Sequence, residues 1–75
     1  MGYSVQKGQG LRNSFAANVR IRRKALKMSQ QDLADAAEID RTYASQIERG
    51  IANPSLMVVE NIAKALSTSA VDLLK

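Results

Sequence analysis

Start and stop signals for helices recur at short intervals along this chain. Ser29-Gln30-Gln31-Asp32 has the outline of a capping box, with Asp where Glu or Gln is usual. Asp40 is a good N-cap residue. Gly50 is a good stop, because a left-handed residue there costs no Cβ clash. Ile51-Ala52-Asn53-Pro54 reads as a connector, and Ser55 caps the next helix. Ser67-Thr68-Ser69 interrupts that helix, and Ser69-Ala70-Val71-Asp72 opens a last turn with Leu73 and Leu74. Between these signals the apolar residues fall at helical spacing: Phe15, Val19 and Leu26, then Leu33, Ala36 and Ala37, then Leu56, Val59, Ile62, Ala63 and Leu66. No alternating run is bounded by hairpin turns. The expectation is an all-α chain, five short helices in one compact bundle over residues 13–75. Asn13 or Ser14 caps the first helix, which ends near Lys27. Residues 1–12, with Gly2, Gly8 and Gly10, read as a flexible tail, or as an arm reaching nucleic acid through Lys7 and Arg12.

A chain of 75 residues supports one domain with a small core. It has no cysteine and no histidine, which removes disulfides, thiol chemistry, most metal sites and most nucleophile–base pairs. Asp32, Asp35, Glu38 and Asp40 form no catalytic pair, and Gly8 and Gly10 lack the strand-to-helix context of a phosphate loop. Neither an enzyme nor a bound metal or cofactor is expected. No apolar run reaches membrane-spanning length and no signal-peptide core follows Met1. A reducing compartment, the cytoplasm, is the expected location. The net charge is +4, and it is unevenly laid out. Residues 1–30 hold seven basic residues and no acid, whereas residues 31–75 hold four basic and seven acidic ones. A basic flank of this kind suits an anionic partner, nucleic acid above all. The basic segment lacks the Trp, Phe and Leu stripe of a helix lying on a membrane.

The third expected helix, Arg41 to about Arg49, carries the functional signal. At about 100° per residue, Arg41, Thr42, Ser45, Gln46 and Arg49 share one arc. All are hydrogen-bond donors, with no acid among them. Ala44 and Ile47 occupy the opposite arc, Tyr43 the border, and Glu48 the side toward the core. A merely solvated helix mixes both signs on its outer face, because i,i+4 pairs stabilise it. Arg, Gln, Thr and Ser suit base edges in the major groove. The helix expected over Gln30–Ala36 precedes it after a few residues, and Ala34, Ala37 and Ala44 are small enough for a close crossing. That is the helix-turn-helix arrangement, in which the second helix enters the groove.

The stretch MSQQDLADAAEIDRTYASQIERGIANPSLMVVENIAKAL resembles the Cro/cI-type, lambda-repressor-like helix-turn-helix domain of phage repressors and bacterial regulators. The likeness covers about residues 13–75 and rests on Ser29-Gln30, Leu33-Ala34, Ile47-Glu48-Arg49-Gly50 and Asn53-Pro54-Ser55. Within that family, DRTYASQIERGIANPSL looks most like the controller proteins of restriction–modification systems. The resemblance implies a small sequence-specific transcriptional regulator, bacterial or phage-encoded, that binds double-stranded DNA. It implies that Arg41, Thr42, Ser45 and Gln46 face bases. Gln30, Tyr43, Arg49, Asn53 and Ser55 would lie against the backbone or groove margin. Arg23, on the edge of an apolar face, would pair internally with Glu48. Glu38 stands where the family usually has a turn glycine, and a left-handed Glu38 would cost of order 1 kcal/mol. A protein-interaction module or antitoxin on the same fold is the alternative.

Val71, Leu73 and Leu74 end a chain with little core left to cover. They either close the monomer or form a partner surface; a homodimer is the reading taken here. A dimer would set two reading helices about 34 Å apart on a near-palindromic site.

Overall fold

The computed structural model describes residues 6–75, with side chains from residue 10 onward. Five helices follow in order: α1 Gln6–Ala25, α2 Gln30–Ala37, α3 Arg41–Glu48, α4 Leu56–Ala65 and α5 Ala70–Leu74. No strand occurs among the described residues. Most of these helices are too short to persist alone in water. What holds them is one core of Phe15, Val19, Leu33, Ile47, Ile62, Leu66 and Leu73, six of which are at most 1% exposed. α2 packs on α3 and α4, while α1 packs on α3 and α5. Ala34, Ala37 and Ala44 are fully buried where α2 crosses α3, as their size predicts.

Four helices end in the same way. Each closes with two backbone bonds, donated by a residue of positive φ and by the residue after it to carbonyls of the last turn, the Schellman arrangement. At α1 these are Met28 N to Arg23 O and Lys27 N to Lys24 O, both 3.0 Å. At α2 they are Ile39 N to Ala34 O (2.9 Å) and Glu38 N to Asp35 O (3.3 Å). The ends of α3 and α4 repeat the pattern at Gly50 and Ser67. The left-handed residues are Lys27, Glu38, Gly50 and Ser67, with φ of 59°, 60°, 75° and 57°. Only one is glycine. The other three each accept strain of about 1–2 kcal/mol, offset by the satisfied carbonyls. At α1 and α2 the following residue, Met28 or Ile39, also packs on the core. Glu38→Gly is therefore expected to raise stability by roughly 0.5–1 kcal/mol, read as a higher urea midpoint at unchanged m. Gly50 is held by space as well, since a Cβ there would lie 2.9 Å from Asn13 Oδ1.

The caps at Ser29, Ser55 and Ser69 form as the sequence predicts. Ser29 Oγ accepts from Asp32 N while Asp32 Oδ2 accepts from Ser29 N, both at 2.9 Å, so Asp completes the box. Ser55 Oγ accepts from Val58 N and Ser69 Oγ from Asp72 N. Asp72 is further held below the usual carboxylate range, chiefly by a hydrogen bond from Lys75.

Three expectations are corrected. The first helix starts at Gln6, so residues 6–12 continue α1 and are no tail; residues 1–5 and the side chain of Lys7 lie outside the described residues. Once Phe15 and Val19 anchor a turn, each added residue gains a hydrogen bond at little cost. Glycines 8 and 10 oppose this by only about 1 kcal/mol each. Asp40 occupies the N-cap position of α3 with extended backbone, but its side chain makes no cap bond. The backbone alone reaches the required geometry, with Ala44 N bonded to Asp40 O at 2.9 Å. Leu73 is fully buried and belongs to the monomer core. In so short a helix adjacent leucines point about 100° apart, and the bundle takes Leu73 inward while Leu74 stays 37% exposed.

Candidate nucleic-acid interface

α3 divides cleanly between two faces. Ala44 and Ile47 are 0% and 1% exposed and fasten it to the core. Arg41, Thr42 and Arg49 are exposed, and Ser45 and Gln46 are half-buried. The sequence places these five in one arc, and in the structure that arc is open at Arg41, Thr42 and Arg49 and partly covered at Ser45 and Gln46. Neither Arg41 nor Arg49 has an ion pair among the described residues. Both charges are therefore free to meet an anion. Tyr43 is half-buried and packs against the core, so its ring supports the edge of the face.

The inner side of α3 is locked by charge. Arg23 Nε donates to Glu48 Oε2 at 2.6 Å and its Nη2 to Oε1 at 3.0 Å. Such a two-point contact fixes orientation as well as distance. The side chains are 11% and 2% exposed. Arg23 Nη1 also donates to Met28 O at 2.8 Å, which leaves the buried guanidinium well satisfied. Its hydrogen bond to Glu48 raises the Arg23 pKa above its ordinary value, against the opposing effect of burial. Gln30 Nε2 donates to Glu48 Oε1 at 3.3 Å, so the start of α2 joins the same knot. The carboxylate of Glu48 thus ties α1, α2 and α3 together, and α3 cannot rotate about its axis without breaking it.

One member of this knot is not evident from the sequence. Arg20 Nη1 donates to Glu48 O at 2.7 Å, satisfying a carbonyl at the end of α3. It stands three residues before Arg23, the spacing that puts both on one side of α1. That spacing was the available signal. Asn53 and Ser55 are exposed beyond α3, with the hydroxyl of Ser55 engaged at the start of α4. Gln30 lies at the first turn of α2, near Glu48. No group of three or more acids able to hold a metal occurs among the described residues. Among the described residues no helix is long and apolar enough to cross a membrane.

Residues 19–73 match the helix-turn-helix family profile. Control protein C.BamHI of Bacillus amyloliquefaciens is 46% identical over 65 residues, covering 85% of this chain and 80% of its own. A hypothetical transcription factor, NHTF from Neisseria, has a similar crystal structure. Its TM-score is 0.84 at 40% identity, covering 89% of this chain and 75% of that one. The restriction–modification controller protein C.AhdI from Aeromonas hydrophila superposes with a TM-score of 0.80 at 34% identity, over 83% of this chain and 94% of its own.

Proposed function

This chain belongs to the helix-turn-helix family, and from that premise we infer a DNA-binding transcriptional regulator of the controller-protein type. The observation that carries the reading is the outer face of α3: five donor side chains, two of them unpaired arginines, on a helix locked from behind by Glu48. α3 enters the major groove. Arg41, Thr42, Ser45 and Gln46 read base edges, and Arg pairs best with the O6 and N7 of guanine. Arg49, Asn53, Ser55 and the first turn of α2 at Gln30 contact the backbone, where helix N-termini favour phosphate. Tyr43 lines the groove margin. Such a protein works in the cytoplasm of a bacterial cell, where its DNA is.

The working unit is a homodimer on a near-palindromic site, with two α3 helices about 34 Å apart. Val71 and Leu74, exposed by 66% and 37%, support a partner surface; Leu73 does not contribute. Phosphate neutralisation dominates affinity, so binding falls steeply with salt.

Selection from a random duplex library tests the reading. It should return a two-fold symmetric sequence; no enrichment at low or moderate salt would leave an interaction module on this fold instead. Arg41→Ala is then expected to weaken binding to the selected site by about 1–3 kcal/mol and to relax preference at one position. Equal losses on selected and scrambled duplexes would make Arg41 a phosphate contact.

A further inference from the structure

The last four carbonyls of a helix have no partner inside it. In α3 these belong to Ser45, Gln46, Ile47 and Glu48. The chain that follows takes the first three. Arg49 N donates to Ser45 O, Gly50 N to Ile47 O, and Ile51 N and Ala52 N share Gln46 O. Glu48 O is left to α1, accepting from Arg20 Nη1 at 2.7 Å. Among the described residues this is the only side-chain bond from another helix to the main chain of α3. Arg23 and Gln30 reach only the carboxylate of Glu48, which a flexible side chain separates from the backbone. Arg20 is half-buried and has no acidic partner among the described residues. Its charge stands instead at the C-terminal end of α3, where the helix dipole favours a cation.

The geometry assigns Arg20 a part in sequence discrimination: it is a positioning residue that sets how far the C-terminal half of α3 projects toward the bases. That role rests on the DNA-binding reading above and extends it to a residue that touches no base. The two arginines of α1 divide the work. Arg23 grips the side chain of Glu48 and stops α3 from rotating, while Arg20 grips its main chain and holds the end of the helix at a fixed height. Ser45 and Gln46 lie within one turn of Glu48, and their side chains are shorter than arginine. Recognition geometry has to be held to about 0.5 Å, and a short side chain cannot follow a backbone that withdraws further than that. Arg41 is long and stands at the other end of α3, so it can re-aim. Loss of Arg20 therefore blurs the bases under Ser45 and Gln46 and spares the one under Arg41. A direct grip on phosphate would act differently, because backbone contacts strengthen binding to every sequence alike.

Arg20→Ala and Arg20→Lys in the full chain provide the test. In the free protein, Arg20→Ala should speed amide hydrogen exchange at Gly50, Ile51 and Ala52 about fivefold, the equivalent of one lost hydrogen bond, and leave α4 unchanged. On DNA, the selected duplex is titrated against single-base variants of itself and against a scrambled duplex. The penalty for a wrong base under Ser45 or Gln46 should shrink about fivefold, the low end of what one base pair contributes. Affinity for the scrambled duplex and the salt slope should hold. Arg20→Lys keeps a donor and a cation at the end of α3 and should recover most of the discrimination. Equal losses on all duplexes, with the salt slope lower by about 0.9, would make Arg20 a phosphate contact and overturn the positioning role. A lower urea midpoint with unchanged penalties would leave it a purely structural residue. Unchanged exchange in Arg20→Ala would remove the tether itself. Wild-type protein that enriches no sequence overturns the DNA reading together with this role, whereas a selective wild type matched by an equally selective Arg20→Ala overturns this role alone.

Discussion

Glu48→Ala should cost about 3–5 kcal/mol of folding stability, read from urea unfolding as a lower midpoint at constant m. The carboxylate is nearly sealed from water and is the only counterion, among the described residues, of the largely buried Arg23. Removing it strands a guanidinium that the fold cannot release to solvent. Gln30 Nε2 loses its acceptor at the same time. A small domain has only about 5–15 kcal/mol in total, so the variant stands near the unfolding threshold. The companion experiment separates charge from packing. Arg23→Met combined with Glu48→Leu removes both charges, and replacements of this kind are often neutral or stabilising. A loss below about 1 kcal/mol for Glu48→Ala would mean that Arg23 finds water or another partner, and the locking role of Glu48 would fall.

The pH dependence of this pair follows from its sign. The folded pKa of Arg23 is raised, so the stabilisation is fully present below the unfolded value. It is lost only as pH rises through the still higher folded value, beyond the range in which proteins are handled. Between neutral and mildly basic pH the pair should add no slope to stability.

Leu73→Ala should cost about 2–5 kcal/mol, while Leu74→Ala should cost well under half of that. The two residues are neighbours of the same type, and only burial separates them: Leu73 is 0% exposed and Leu74 37%. Leu73 also marks the place where α1 holds α5, since Asn18 Nδ2 donates to Leu73 O at 2.8 Å. Thermal unfolding at fixed concentration measures the first effect. The second variant should instead shift the monomer–dimer balance. If Leu73→Ala weakened association and spared monomer stability, the burial assignment would be wrong.

Much of the fold was legible before the structure. The serine caps form at Ser29, Ser55 and Ser69. The crossing alanines are buried. At Glu38 the sequence left two turns open, a left-handed residue or a differently built turn, and the structure takes the left-handed one. Arg23 stood on the edge of an apolar stripe, so it needed a counterion. The resemblance pointed to Glu48, and the structure holds the pair at 2.6 Å. The donor-only arc of α3 was also legible, because helical periodicity ties surface position to residue number.

Other features were not. Nothing local distinguishes Lys27 and Ser67, which take the left-handed region because the Schellman bonds of α1 and α4 require it there. Asp40 has the right side chain for a cap and does not use it. Arg20 could have pointed at water, and its bond to Glu48 O depends on how α1 lies against α3.

The sequence alone determined what is settled between residues a few positions apart. That covers where α2 to α5 begin, where α3 stops at Gly50, and which side chains of α3 share a face. Caps, turns and helical phase are contacts within one or two turns of chain. The tertiary structure decided what depends on distant segments meeting. It carried α1 back to Gln6, turned Leu73 into the core and Leu74 toward water, and assembled Arg20, Arg23, Gln30 and Glu48 into one knot. Those outcomes are set by which surfaces exclude water from one another, and a surface exists only after the helices have packed.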